Sequence, residues 1–154
     1  MSIEAVREFF KERGMENRIR EFPVSSATVA LAAQALGCEE ARICKSLSFM
    51  AGEQPILILT AGDVKISNSK YKAFFGVKAK MMTAEQTEEI IGHRVGGVCP
   101  FAINSGVFVY LDSSLRRFET VFPACGSSNS AIELTLSELQ SLSNAKEWIE
   151  VTNI

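Results

Sequence analysis

The chain has 154 residues and a formal net charge of −2, and its 47% hydrophobic and 22% charged residues are typical of a single folded domain, 1–154, rather than of a disordered segment. It has no apolar stretch of the roughly 20 residues that a membrane helix needs and no apolar signal core near its start, so we expect a cytoplasmic protein without membrane segments. Its four cysteines form no C-x-x-C pair and it has one histidine, so we expect no disulfide framework, no metal and no cofactor.

The first part of the chain predicts two helices followed by two strands. Residues 3–13 and 28–36 carry apolar side chains at helical spacing, and a glycine follows each segment. Thr28 is a candidate N-cap of the second helix. Apolar and polar residues alternate from 43 to 50, whereas 55–60 is an unbroken apolar run typical of a central strand. The short turn between these two strands indicates an antiparallel hairpin.

The rest of the chain predicts shorter elements. In order, these are a helix capped by Ser67 and closed by Gly76, a brief strand at 77–81, a helix from the capping box at 83–86 to Gly92, strands at 107–111, 119–122 and 131–134, a helix from a second capping box at 135–138 to about Leu142, and an edge strand at 148–151. Helices do not alternate strictly with strands. The pattern therefore favours an α/β fold of the α+β type, with a mixed, largely antiparallel central sheet flanked by helices.

Lys45 is the first candidate functional residue. Strand alternation places its side chain on the face of Ile43 and Leu47, where a charge is costly unless it has a partner or opens into a pocket. A lysine in such a place can hold a carboxylate, a phosphate or a developing oxyanion. The alternative is a side chain that extends from the strand end into solvent.

Two loops of small residues are further candidates. Glycines allow a backbone to approach a ligand and to present its N–H groups, which can bind a carbonyl oxygen. Either segment could equally be an ordinary loop between elements. The residues concerned are Gly96, Gly97, Val98, Cys99 and Pro100 in the first loop and Gly126, Ser127 and Ser128 in the second.

A cysteine–histidine hydrolase is disfavoured. Cys99 lies six positions after His93, but such catalytic partners usually converge from distant parts of a sequence. We expect Cys99 to be a small residue of a loop or pocket.

A basic segment lies within this acidic chain. No acidic residue occurs between Asp63 and Glu85, where five lysines fall at positions 65, 70, 72, 78 and 80. Such a patch can attract phosphates while the rest of the surface repels them, or it can simply be a solvated face.

Four features follow one another in a recognisable order: Thr28 opening a helix that ends Ala-Leu-Gly, Lys45 in an early strand, the Gly-Gly-Val-Cys-Pro-Phe segment, and the Gly-Ser-Ser loop before Ala131. In this order and spacing, from about Phe22 to Leu142, the sequence resembles the YbaK/EbsC-like family of prolyl-tRNA editing domains. The resemblance implies a mixed α/β fold with a pocket at one end of the sheet. It also implies hydrolysis of the ester that joins a wrong amino acid, such as alanine or cysteine, to tRNA.

The resemblance gives the candidate residues their expected roles. It implies Lys45 as the main functional residue, with the loop from Gly96 to Pro100 framing the pocket. Thr28 and the Gly126–Ser128 loop join the expected substrate-binding set, and we assign Lys65, Lys70 and Lys72 to contacts with the tRNA acceptor stem. The expected function is a hydrolase acting in trans on mischarged proline tRNA, with tRNA as the partner.

Two alternatives stay open from the sequence. The protein could hold aminoacyl-tRNA or a nucleotide without hydrolysing it, or it could act only beside an aminoacyl-tRNA synthetase. The identity of the amino acid also stays open, because Cys99 stands where relatives often carry a hydroxyl or another small residue, and the Ser127–Asn129 loop lacks the basic residues of some cysteine-specific relatives.

Overall fold

The computed structural model describes residues 2–153. Five α-helices, three short 3₁₀ helices and eight strands are defined in this range. The helices are α1 (Ser2–Lys11), α2 (Val29–Leu36), α3 (Asn68–Phe75), α4 (Ala84–Gln86, continued by a π-helical turn over Thr87–Ile91) and α5 (Leu136–Leu142). The strands are β1 (Ile19–Glu21), β2 (Ile43–Ala51), β3 (Gln54–Ala61), β4 (Phe108–Asp112), β5 (Thr120–Pro123), β6 (Ser130–Ile132), β7 (Leu134–Thr135) and β8 (Glu147–Ile149). No helix in residues 2–153 is long and apolar enough to cross a membrane.

The strands form a six-stranded sheet in the order β7-β5-β2-β3-β4-β8, beside a two-stranded sheet of β1 and β6. The longest pairing is the predicted antiparallel hairpin of β2 and β3, which matches eight residue pairs. The β5–β7 and β1–β6 pairs are also antiparallel, whereas β2–β5, β3–β4 and β4–β8 are parallel. The predicted mixed sheet flanked by helices is confirmed. Antiparallel pairs cover more residues, although three of the five strand contacts in the larger sheet are parallel.

Helices cover both faces of the hairpin. Leu57 and Leu59 belong to the larger core cluster, into which α1, α4 and α5 insert buried side chains such as Phe10. Ile56 and Ile58 face the opposite way and pack with Tyr71 of α3. Because successive strand residues point to opposite faces, this division explains the unbroken apolar run that the sequence shows at 55–60.

Capping residues set the helix boundaries close to where the sequence predicts them. Thr28 caps α2 by accepting a hydrogen bond from the Leu31 N–H, and Gly37 ends the helix in the left-handed conformation, with φ of 71°. Both predicted capping boxes, those of Thr83 and Thr135, are present. The predicted helix at 3–13 is shorter at its C-terminus, because α1 ends at Lys11.

The strand predicted at 77–81 is wrong. This segment has no strand over its length and meets the sheet only through an isolated bridge between Met81 and Phe49. Two hydrogen bonds flank that bridge, one from the Met50 N–H to the Lys80 carbonyl and one from the Met82 N–H to the Ser48 carbonyl, both 3.0 Å. The alternation of lysine and apolar residues therefore reflects a chain that touches the edge of β2 once and then leaves it.

Asp112 at the end of β4 links the C-terminal segment to the sheet through hydrogen bonds. Its fully buried carboxylate accepts hydrogen bonds from the Ser114 N–H at 3.0 Å, the Val151 N–H at 2.9 Å and the Thr152 hydroxyl at 2.8 Å. We expect Asp112→Ala to lower the free energy of unfolding by about 3 kcal/mol or more, since each buried donor left without a partner costs about 1–3 kcal/mol. Urea denaturation measures the change.

Glu119→Ala is the matched control, because this carboxylate is exposed on the segment that leads into β5. It should shift the free energy of unfolding by less than about 0.5 kcal/mol, the range usual for surface substitutions. Equal unfolding free energies for the two variants would show that Asp112 does not hold the C-terminal segment.

Candidate functional site

A cavity of about 430 Å³ opens beside β2. Its walls come from five parts of the chain: residues 43–48 of β2, segment 26–32 at the start of α2, segment 81–87 leading into α4, the loop at 95–98, and residues 122–131 around β5 and β6. Most lining side chains are apolar, and the polar groups are few. This composition is usual for a site that binds a small organic group.

Lys45 lines this cavity and is half-buried. Its ammonium group donates a hydrogen bond to the carbonyl oxygen of Val64. Burial lowers the pKa of Lys45, the charge of Asp63 opposes this effect, and Lys65 lowers the pKa further. Asp63 is itself held by two hydrogen bonds from Arg117, at 3.0 and 2.6 Å. The lysine charge is therefore only partly balanced, and it suits an anion or an oxyanion.

Thr28, Gly96 and Val98 are the other predicted residues that line the cavity. The Thr28 side-chain oxygen accepts from the Leu31 N–H at 3.2 Å, which fixes the side chain at the start of α2. Gly96 has φ of 101°, and a Cβ at this position would lie 3.3 Å from the Cβ of Ala27. The glycine thus allows the loop at 95–98 to approach the segment that carries Thr28.

Gly97 lies behind the cavity and packs against the second predicted loop. A Cβ on Gly97 would lie 2.6 Å from the backbone nitrogen of Ser127 and 2.8 Å from the carbonyl carbon of Gly126, so no side chain fits. The structure brings the two glycine-containing loops into direct backbone contact.

The Gly126–Ser128 loop positions its neighbours and does not line the cavity within the described residues. The carbonyl oxygen of Ser128 accepts from the Ser26 N–H at 2.6 Å and from the Ser26 hydroxyl at 3.3 Å. The Ser127 hydroxyl lies 2.6 Å from that of Ser130. These contacts hold the segment before Thr28 in place.

Cys99 and Pro100 are buried and lie outside the cavity lining. The Cys99 Sγ lies 3.5 Å from the Nε2 of His93, which is 2.7 Å from the Phe101 carbonyl oxygen. Burial raises the pKa of Cys99 to about 12 and lowers the pKa of His93. At neutral pH the pair is therefore a protonated thiol beside a neutral imidazole, closed off from the cavity, and it lacks the thiolate that nucleophilic catalysis requires.

Several cavity residues are absent from the set predicted by the sequence. Ser46, Ser48 and Thr87 supply hydroxyl groups, and Met81 and Met82 supply apolar surface. The Ser48 and Thr87 hydroxyls lie 2.9 Å apart, whereas the buried Ser46 Oγ has no hydrogen-bond partner among the described residues. Serine on a half-polar strand gives no signal in a sequence, so the spacing alone could not identify these residues.

The predicted tRNA-binding lysines differ in exposure. Lys65 and Lys72 are exposed, whereas Lys70 is partly buried and donates to the Thr152 carbonyl oxygen at 2.8 Å. Lys72 also lines a second, open cavity of about 380 Å³ together with Lys78. Lys65 follows Val64, whose carbonyl holds Lys45, so the basic segment starts beside the main cavity.

The chain is similar to known proteins over most of its length. Uncharacterized protein YwhH of Bacillus subtilis (strain 168) is 53% identical over 152 residues, which are 98% of this chain and 97% of that protein. A proline–tRNA ligase of Limosilactobacillus fermentum is 30% identical over 95 residues, which cover 58% of this chain but only 17% of the ligase. The likeness to the ligase is therefore confined to one part of that enzyme.

The fold matches a solved structure along almost its whole length. That structure, described as a candidate trans-editing enzyme for prolyl-tRNA synthetase, superposes with a TM-score of 0.89 at 29% identity and covers 99% of this chain and 98% of its own. The model of the aminoacyl-tRNA editing domain matches residues 24–142, a range that contains Thr28, Lys45 and both glycine loops. On these grounds, the chain belongs to the aminoacyl-tRNA editing domain family.

Proposed function

We propose that this protein is an aminoacyl-tRNA deacylase that acts in trans on mischarged proline tRNA, with alanine or cysteine as the amino acid removed. The observation that carries the proposal is the half-buried, incompletely balanced charge of Lys45 at a cavity of about 430 Å³ in an editing-domain fold. Residues 1–154 would work as one editing domain, in the cytoplasm where charged tRNA is found.

The reaction needs little assistance from the protein, because an aminoacyl ester is already activated towards hydrolysis. Water adds to the ester carbonyl carbon, the bond to the ribose oxygen breaks, and that oxygen takes a proton as the free amino acid leaves. A site accelerates this reaction by fixing the ester and by stabilising the oxyanion. Lys45 supplies the positive charge for the oxyanion or for the phosphate of the terminal adenosine. Cys99 and His93 are closed off from the cavity, so in this proposal water, and not that thiol, is the nucleophile.

The predicted binding residues divide into two groups. Thr28, Gly96 and Val98 contact the aminoacyl-adenosine end directly, since they line the cavity. The second group is not among the described residues that line the cavity and belongs to the two loops beside it. Its members are Gly97, Cys99, Pro100, Gly126, Ser127 and Ser128.

The acceptor stem would lie over the basic segment that begins at Lys65. Lys65 and Lys72 are exposed and can reach phosphates, whereas the ammonium of Lys70 already contacts the Thr152 carbonyl. We therefore rank Lys65 and Lys72 above Lys70 as tRNA contacts. An aminoacyl-tRNA synthetase is a second candidate partner, and its effect on the deacylation rate is measured by adding it to the assay.

The first prediction for activity concerns Lys45→Ala. We expect the variant to lose deacylation of the misacylated tRNA by about a hundredfold or more, the factor typical of removing one group that stabilises an oxyanion. The measurement is the loss of labelled amino acid from alanyl-, cysteinyl- and seryl-tRNA charged on proline tRNA. The amino acid whose release depends on Lys45 identifies the substrate.

Lys11→Ala is the matched control, because this exposed lysine lies at the far end of α1. It should keep the activity of the unchanged protein. Full activity of Lys45→Ala would reject the role of this lysine. If the unchanged protein binds the charged tRNA but releases none of the three amino acids, the proposal of a deacylase gives way to that of a binding module.

The second prediction concerns the salt dependence of tRNA binding. We expect Lys65→Ala and Lys72→Ala each to weaken binding and to reduce the slope of log affinity against log salt concentration by about 0.7–0.9 for each phosphate that the variant no longer neutralises. Lys70→Ala should have a smaller effect, because its ammonium is held by a carbonyl. Filter binding across a salt series measures all three, with Lys11→Ala as the control. Unchanged slopes for Lys65→Ala and Lys72→Ala would move the acceptor stem to another surface.

A further inference from the structure

Strand β2 has a gap along one of its edges. One edge pairs with β3 continuously from Cys44 to Ala51. On the other edge, β5 pairs only with Ile43 and Cys44, and the next contact is the bridge between Phe49 and Met81. Residues 45–47 therefore have no strand neighbour on that edge among residues 2–153.

The backbone of Ser46 points into this gap. The Met50 N–H and the Ser48 carbonyl both bond to the segment at 80–82, which shows that even-numbered residues of β2 direct their backbone groups to the outer edge. By the same alternation, the N–H and carbonyl of Ser46 face that edge. The Ser46 Oγ is also buried without a partner in the described chain. All three polar groups of one residue are thus available, although buried polar groups are normally paired.

The main cavity occupies the gap. Its lining includes six successive residues of β2, from 43 to 48. Successive side chains point to opposite faces of a sheet, so a cavity that touches all six must lie against the edge of the strand. The free backbone groups of Ser46 therefore face the space where a ligand binds, next to Lys45.

We propose that the aminoacyl group of the substrate forms with Ser46 the same two hydrogen bonds that a residue of an antiparallel neighbouring strand would form. The Ser46 N–H donates to the ester carbonyl oxygen, and the α-ammonium of the amino acid donates to the Ser46 carbonyl oxygen. An aminoacyl ester has the same nitrogen–Cα–carbonyl unit as a chain residue, so its donor and acceptor have the spacing that a hydrogen-bonded strand pair requires. This inference rests on the proposed function, and it names the chemical class of the substrate.

The pairing selects esters of α-amino acids with a free ammonium group. A simple acyl ester lacks the donor for the Ser46 carbonyl, and that carbonyl would be left unpaired. Side chains of directly opposed residues lie on the same face of an antiparallel pair, so the side chain of an L-amino acid would lie beside the Ser46 hydroxyl. The backbone of Ser46 thus binds the amino and carbonyl groups that all α-amino acids share, and the cavity walls contact the side chain.

Two variants separate the backbone N–H from the hydroxyl. Ser46→Ala and Ser46→Pro both lack the hydroxyl, but only proline also lacks the N–H. Proline is tolerated where a strand edge is unpaired, and thermal unfolding checks that the variant is folded. We expect Ser46→Pro to lower kcat/KM for the substrate about ten- to a hundredfold below Ser46→Ala, the factor that a hydrogen bond to a developing charge contributes. Equal values for two folded variants would overturn the proposal.

A pair of substrates tests the ammonium contact without changing the protein. Alanyl-tRNA and propionyl-tRNA differ only in the α-amino group. For each substrate, kcat/KM is divided by the rate at which its ester hydrolyses spontaneously. We expect this normalised value to be about tenfold or more lower for propionyl-tRNA than for alanyl-tRNA. Equal normalised values would overturn the ammonium contact.

A binding measurement separates this inference from the proposed function. The probe is 3′-alanylamino-3′-deoxyadenosine, which carries the aminoacyl unit but resists hydrolysis, and 3′-propionylamino-3′-deoxyadenosine is its control. We expect the Ser46 amide proton signal to move downfield with the alanyl probe, and the propionyl probe to bind about tenfold more weakly. This result supports the strand-edge contact even if no tRNA is deacylated. Lys45-dependent deacylation with an unmoved Ser46 signal would overturn the contact and leave the deacylase proposal intact.

Discussion

The cavity exists because β2 is a central strand with an incomplete neighbour. β5 accompanies it for two residues, and the chain then turns away after Pro123, so that Ala124 forms a bridge with Ala131 instead. Further along, the segment at 80–82 touches the same edge once. The remaining backbone groups on this edge face the cavity, because no strand of the described chain fills the place between these two contacts. Lys45, Thr28, Gly96 and Val98 all line that opening.

The loops around the opening are held by both backbone and side-chain contacts. Gly97 lies against Gly126 and Ser127 so closely that no side chain fits, and Ser128 holds the segment before Thr28 through its carbonyl oxygen. Three distant parts of the chain are therefore packed against one another. The glycines of these loops allow backbone to pack on backbone, and the serine hydroxyls bond to neighbouring loop residues. Pre-organised sites of this kind lose little entropy when they bind.

Much of the fold could be predicted from the sequence, because hydrophobic period and capping residues act locally. The hairpin of β2 and β3, the caps of α2 and α3 and both capping boxes follow from such signals. The error at 77–81 has a physical cause, since alternation indicates a strand but does not show whether a partner strand runs alongside. Lys45 could be found because a charge on an apolar strand face is anomalous. The position of Ser46 on an open strand edge could not be predicted, because it depends on a missing neighbour strand. The glycines that line the cavity could not be told from those that do not, because glycine permits the close approach of a ligand and of another backbone alike.

The contact between Lys45 and the Val64 carbonyl has a consequence for selectivity. The ammonium already has a neutral partner, so a ligand must displace that partner and gains only the difference between the two interactions. For a neutral ester in its ground state this difference would be small, whereas for an oxyanion, which attracts the ammonium far more strongly than a carbonyl does, it would be large. In the proposed reaction, exchange of partners at Lys45 would therefore favour the attacked ester over the intact one.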